Sequence, residues 1–481
     1  MRNYIFYFCA TLLLFSCGNK DNRSLQDNVS AFINNNDSIV VFGKIDYGVI
    51  LNKTDYKNAP KIGPIVSSVL GEFEKVINSN EPIYLALSGP FNNDGSPKKA
   101  YAFLSVVNAD SLVGVMTKKG YDLDKEEDLY YTQLDDLSIG VKNGLAILIF
   151  GKGEVVPLDK IKEVFLKTQG DISKGKKQEI LSSKGDIVFG YNIENVYNSS
   201  NTELEKLNDE LKNEIKDMVR DSYGEISFHF EKGQAKMILK NYFSDKLKEQ
   251  LFFKNDAKGE IVKKLGKGSP RIGISMNIDM MRFQNFINKY APGAIDQFAK
   301  SLGGPAQMAL MMGGEDALSG LLSGELGLVM FGEPDGFGAT VPSFNTYVGF
   351  GKKGKSLAEM GVSLLEQNNI KTIIDNKGLS CFSSPEYISN DENGLLLPNS
   401  CQFYGKKSFT GFMNLEGMDL SSFHLSGGSK LIELLESVQF QFDENGGELI
   451  LKTINKDDNV MKQSVDFMLK EFESQINAMP F

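Results

Sequence analysis

The sharpest chemical pattern in the chain is Gly349-Phe350-Gly351-Lys352-Lys353-Gly354-Lys355-Ser356, which fits G-x-x-x-x-G-K-[ST]. In a phosphate-binding loop of that form, backbone N–H groups cradle the phosphates while the lysine and hydroxyl serve phosphate and Mg²⁺. An alternating strand precedes the motif and a helical pattern comes after it. Its neighbourhood argues for a different role. The strands around it read as hairpin-linked and antiparallel, whereas nucleotide-binding loops sit on parallel sheets. The corresponding turn of an earlier, similar stretch, Val106-Val107-Asn108-Ala109-Asp110, keeps no trace of the motif. A Gly-rich, basic turn that starts a helix is the expectation, with no nucleotide partner. His229 and His424 fall in a strand and a loop without a matching acid or nucleophile, and neither G-x-S-x-G nor H-E-x-x-H occurs. Met308, Met311 and Met312 lie in a Gly-rich stretch, 303–338; such residues can line an adaptable binding surface, though core filling is commoner. No catalytic residue, metal ligand or cofactor is expected.

Cysteine carries the rest of the chemistry. One positive charge, Arg2, precedes an apolar run from Ile5 to Phe15. That is about eleven residues, the length of a signal-peptide core and well short of a membrane-spanning helix. The run ends in Leu14-Phe15-Ser16-Cys17, which resembles the bacterial lipobox, with Phe15 standing where a small residue is preferred. The expected outcome is cleavage after residue 16 and acylation of Cys17. Each buried CH₂ of an acyl chain contributes roughly 0.8 kcal/mol, so two or three chains hold a protein on a membrane. Export would also remove the Gly349 motif from ATP. The polar residues 17–36 read as a flexible tether.

Cys9 would leave with residues 1–16 and Cys17 would be acylated, leaving Cys381 and Cys401. In an oxidising compartment a disulfide between them could persist. They flank a Ser-, Pro-, Asn- and Gly-rich insert, Ser383 to Ser400. Closing that loop would stabilise the fold by roughly 3 kcal/mol. The alternative is a pair of unbonded, partly buried thiols.

Composition bounds the class. The 481 residues are 41% hydrophobic and 24% charged, values of a globular chain, and the formal net charge is −10. An acidic balance without basic runs speaks against nucleic-acid binding. No later apolar stretch is long enough to span a membrane.

A short phrase recurs four times: Phe42-Gly43-Lys44-Ile45-Asp46, Gly190-Tyr191-Asn192-Ile193-Glu194, Ser275-Met276-Asn277-Ile278-Asp279 and Phe412-Met413-Asn414-Leu415-Glu416. Each closes an alternating strand on an acid placed to cap a following helix. The hairpins Phe228 to Lys240 and Phe440 to Lys452 read almost in register. We therefore expect an internal duplication, with an export signal at 1–16, a tether at 17–36, and two similar halves at 37–268 and 269–481. Each half reads as α+β, an antiparallel sheet with helices packed on one face and ferredoxin-like elements.

With lipobox, tether, halves and phrase in view, the chain resembles a family of Bacteroidetes lipoproteins built on a domain of unknown function. A Lys-plus-acid signature just after Cys17 is similar to the surface-export signal of such lipoproteins. The resemblance implies an envelope location, a membrane contact through the N-terminal lipid, and no catalytic residues. The expected role is a non-enzymatic binding or structural module, with an envelope protein or glycan as partner. An envelope hydrolase using Asp, Glu and Ser is the alternative.

Overall fold

A helix stands where the composition suggests a tether. The computed structural model describes residues 23–477 except 60–62, 65–66, 69–70, 72–74, 77, 93–94, 173–174, 200–207, 255–258, 303–316, 333–342, 389–393, 399–400, 402–403 and 417–426. Cys17 and the export segment lie outside the described residues, as do His424, Met308, Met311 and Met312. Helix α1 (Leu25–Asn34) begins on a reciprocal cap. The Asp27 N–H donates to Ser24 Oγ at 3.1 Å, and the Ser24 hydroxyl donates to the Asp27 carboxylate at 2.8 Å. Leu25, Val29, Phe32 and Ile33 share one face, and the last three are 0% exposed. The Phe32 ring lies 4.9 Å from Tyr101 and 4.8 Å from Phe103. Arg23 and Lys177 tie the helix down by donating to the carbonyls of Gly170 and Ile33. Residues 25–34 are therefore core, not tether. Gln26, Asp27, Asn28 and Asn34, none of them buried, had hidden the period of the inner face.

Contacts divide the chain into two compact units. One ends at Ser244 and takes back the chain from Asp457; the other is Asp245–Lys456. The division thus falls earlier than 268/269, and residues 457–477 join the first unit instead of completing the second.

In the first unit, β1 (Ile39–Ile45), β2 (Ile83–Phe91), β3 (Pro97–Ser105), β4 (Asp124–Glu126), β5 (Leu129–Gln133), β6 (Leu137–Lys142), β7 (Leu145–Gly151), β8 (Ile187–Asn192), β9 (Tyr223–Glu231) and β10 (Gln234–Tyr242) form one sheet. Their order is β10-β9-β8-β1-β2-β3-β7-β6-β5-β4, antiparallel throughout. The parallel neighbours of a ferredoxin-like split β-α-β are not among these pairs. Helices cover both faces, not one. On one side α1, α4 (Leu158–Thr168) and α5 (Lys176–Leu181) pack on Phe42, Tyr84, Phe103, Ile147 and Ile149. On the other, α2 (Tyr47–Thr54) and α3 (Ala109–Lys118) meet Ala102, Leu104, Ile139, Val141 and Leu148. The cause is visible in β3 and β7. Ala100 to Leu104 and Leu145 to Phe150 are continuous apolar runs, the pattern of a strand buried on both faces.

Two buried carboxylates fix this sheet. Asp186 accepts from Lys53 Nζ at 2.6 Å and from the Phe230 N–H at 2.6 Å. Glu225 accepts from Lys240 at 2.7 Å, Tyr242 at 2.7 Å and Ser183 at 3.0 Å. A buried charge is tolerated when its acceptor sites are filled in this way.

In the second unit, β11 (Ile272–Asn277), β12 (Leu322–Phe331), β13 (Ser343–Phe350), β14 (Lys371–Ile374), β15 (Gly378–Phe382), β16 (Phe409–Asn414), β17 (Leu435–Asp443) and β18 (Gly446–Thr453) run in the order β18-β17-β16-β11-β12-β13-β15-β14, again antiparallel. The short helix α6 (Ile261–Lys264) packs Ile261 beside Val329, Tyr347 and Phe412 on one face. On the other, α7 (Met280–Tyr290) and α8 (Ala317–Leu321) meet Met276 and Phe409, and α9 (Gly354–Gln367) lies along β14 and β15. Back in the first unit, α10 (Val460–Asn477) packs against α2 and β9, and the Gly233 N–H donates to the Asp458 carbonyl at 3.0 Å.

The repeated phrase caps helices as its acids suggest in two copies. Asp46 Oδ1 accepts from the Val49 N–H at 3.3 Å, and Asp279 Oδ1 from Arg282 at 2.9 Å. In the second copy the cap moves back two residues: Asn192 Oδ1 takes the Asn195 N–H at 3.0 Å. The segment 417–426, directly after the fourth copy, lies outside the described residues.

Candidate functional site

The Gly349 motif is occupied by the protein's own backbone. The Gly351 N–H donates to the Leu321 carbonyl at 2.9 Å, Lys353 to Gly320 at 2.8 Å, and Gly354 to Gly351 at 3.1 Å. Lys355 Nζ donates to Asn376 Oδ1 at 2.8 Å. The N–H groups that would cradle a phosphate are therefore spent on packing the turn against α8. Gly351 is there because a Cβ would sit 2.4 Å from the Ser319 carbonyl oxygen. Gly351→Ala should cost about 1–3 kcal/mol of stability, read as a lower urea midpoint.

Cys381 and Cys401 are buried and not joined by a disulfide, and sheet parity keeps them apart. Cys381 of β15 stands opposite Thr346 and Thr372. The next residue of β13, Tyr347, points to the other face, where Cys401 packs with it. The sheet lies between the two sulfurs, so no disulfide joins them, and of the two alternatives the structure has the buried thiols. Burial pushes the Cys381 thiol up, which disfavours the reactive thiolate. Alkylation of the unreduced, denatured protein should label both Cys381 and Cys401; a peptide pair joined through the two sulfurs would contradict this arrangement. His229 spends its ring on Ser227, Nε2 to Oγ at 3.2 Å. Among the described residues, no three His, Cys, Asp or Glu side chains converge to hold a metal, and no helix is long and apolar enough to cross a membrane.

Concave space lies in the second unit, a cleft of about 280 Å³. Its floor is the sheet. Ser275 and Asn277 project from β11, Glu325 of β12 stands directly across from Asn277, and Tyr347 of β13 lies beyond. Gly378 makes room for the Tyr347 ring, since a Cβ there would fall 2.5 Å from it. The walls are Lys254, Ile261 of α6, Lys264, Lys377 and Gly405. Each wall is pinned. The Lys254 main chain is held by the buried Ser408 side chain, which accepts its N–H at 3.0 Å and donates to its carbonyl at 3.1 Å. Tyr347 donates its hydroxyl to the Lys377 carbonyl at 3.3 Å. Lys264 pairs with Asp375, whose carboxylate also accepts the N–H groups of Lys377 and Gly378.

The hydroxyls of the cleft are engaged by neighbouring groups. The Ser275 hydroxyl shares a 2.5 Å hydrogen bond with Thr410, which accepts the Gly405 N–H at 2.8 Å. Burial, with the charges of Glu325 and Asp375, pushes the Tyr347 phenol up to about 12, so it stays protonated near neutrality. At the rim, a hydrogen bond from Lys263 holds Glu260 below the usual carboxylate range. A different set is left without partners. Among the described residues, the ammoniums of Lys254 and Lys377 and the carboxylate of Glu325 form no hydrogen bond or ion pair. Asn277 is only 7% exposed, and its Oδ1 has no donor.

None of these four residues stood out in the sequence. They come from positions 254, 277, 325 and 377, and only Asn277 lies in a recognisable pattern, as the polar member of the repeated phrase. The geometry defines a polar cleft on an antiparallel α+β unit. No protein-family model matches the chain, and no curated protein matches it. Among solved structures, one titled "Structure of crystal form I of TP0453" is similar over 76% of this chain and 92% of that chain, at 9% identity and a TM-score of 0.23. A likeness that distant bears on neither fold nor function.

Proposed function

We propose that this chain is a lipid-anchored protein of the cell envelope, resembling Bacteroidetes lipoproteins, and that it works as a non-enzymatic binding module through the cleft of its second unit. The observation that carries the binding role is the state of the cleft's polar groups. Its hydroxyls are engaged with Thr410 and the Lys377 carbonyl, while Lys254, Lys377, Glu325 and the Asn277 carbonyl are presented without partners among the described residues. A hydrolase needs a nucleophile in reach of a base. Ser275, the serine of the cleft, instead faces a threonine. The anchor rests on Cys17 and the lipobox-like residues before it.

The same reading makes the two units copies of one ancestral α+β unit. The support is topological. Strands β10-β9-β8-β1-β2-β3-β7-β6 and β18-β17-β16-β11-β12-β13-β15-β14 correspond one to one in order and direction, and β4 and β5 are then an extension of the first copy.

Metabolic labelling with palmitate and membrane fractionation test the anchor. The full chain should be labelled and sediment with membranes; Cys17→Ala should be unlabelled and soluble. A Cys17→Ala protein that remains acylated and membrane-bound overturns it.

A further inference from the structure

The unpartnered groups of the cleft specify a ligand, an inference that rests on the binding-module reading. Lys254 and Lys377 line the cleft beside Glu325 and the buried amide of Asn277, whose Oδ1 has no hydrogen-bond partner among the described residues. Lys264 and Glu260 also line it; Asp375 engages Lys264, and Lys263 bonds Glu260, on which the Lys377 charge also acts without forming an ion pair. Asn277 and Glu325 are cross-strand neighbours on the same face, so the two acceptors are adjacent.

A buried carbonyl without a donor is destabilising, and a hydrogen bond to a charged donor more than recovers that loss. An unpaired carboxylate beside it asks for the same thing, a cation with several N–H donors. The two lysines ask for the reverse, an anion. We propose that the cleft binds a small zwitterion of amino-acid or dipeptide size, its ammonium on Asn277 Oδ1 and Glu325 and its carboxylate on Lys254 and Lys377. The volume of about 280 Å³ suits such a molecule and is small for larger ones. Ile261 and the Tyr347 ring supply apolar wall for a side chain. The main chain of Lys254 is clipped to Ser408 before any ligand arrives, so less ordering is required on binding.

The test is calorimetric titration of the detergent-solubilised full chain with the common L-amino acids and dialanine, each beside its N-acetylated and C-amidated derivative. At least one free zwitterion should bind with a Kd below about 1 mM, and either capped form should bind at least about tenfold more weakly. Glu325→Gln, nearly isosteric, should weaken the free and C-amidated ligands about tenfold and leave the N-acetylated one unchanged, at an unaltered melting temperature. Absence of heat for every amino acid and for dialanine up to about 10 mM overturns the proposal, as does equal affinity for the N-acetylated and free forms. The capped-ligand comparison uses the unsubstituted protein and does not depend on a variant folding. Cys17→Ala reports on the anchor alone, so a failed ligand and a failed anchor give separate results.

Discussion

A chain shortened to begin at Asp37 is expected to lose its folded first unit, and Phe32→Ala alone is expected to cost it about 3–5 kcal/mol. Phe32 is fully buried between Tyr101 and Phe103, in a cluster that also holds Phe42, Ile147 and Ile161. Burying Val29, Phe32 and Ile33 contributes about 1.5–3 kcal/mol each, against a total of about 5–15 kcal/mol for an ordinary domain. Losing all three removes about 4.5–9 kcal/mol, a large share of that total. Urea unfolding, followed by hydrogen exchange of amides in β3 and β7, checks this. If the shortened chain protected those amides as well as the intact one, α1 would be an ornament and 17–36 a tether after all.

The second large effect is expected at Tyr404. Its side chain is fully buried, its ring meets Phe412 edge-on at 5.4 Å, and its hydroxyl donates to the carbonyls of Ile274 at 2.9 Å and Leu328 at 3.0 Å. It joins β11 and β12 at the level of the cleft and carries Gly405, whose N–H is held by Thr410. Tyr404→Ala removes about 3–5 kcal/mol. Tyr404→Phe keeps the ring and leaves the two carbonyls without this donor, for a loss of about 1–2 kcal/mol. The Phe variant should also speed amide exchange at Gly405 more than at β17, because the hydroxyl pins that wall. Equal stability of the Tyr and Phe forms would mean that the two carbonyls do not need it.

Local alternation made the strands legible. The hairpins read at Phe228 to Lys240 and Phe440 to Lys452 are β9 with β10 and β17 with β18, each extending further along the chain. These segments present one periodicity to one environment. Helix α1 was missed because Gln26, Asp27, Asn28 and Asn34 give it a polar average, which outweighed the spacing of Leu25, Val29 and Phe32. Helices on both faces were missed for the opposite reason. A continuous apolar run such as Leu145 to Phe150 has no alternation to declare which face is covered. The sequence leaves the Cys381–Cys401 pairing open, because it turns on sheet parity, and parity depends on a register that only β13 and β15 together define. The cleft was beyond the sequence altogether. Its unpartnered groups come from four places in the chain, and what distinguishes Glu325 from any other exposed-strand glutamate is the absence of a neighbour to pair with among the described residues.

The first unit is assembled from two stretches of chain, with α10 lying against α2 and β9 and the backbone of Gly233 bonded to that of Asp458. Residues 457–477 leave the ribosome, and any export channel, only after the whole of 245–456. The second unit can therefore mature while its host is still open, and the host closes behind it like the two ends of a belt. A stop codon anywhere in the second unit would then strand the first without its final helix, even though every residue up to Ser244 had been made.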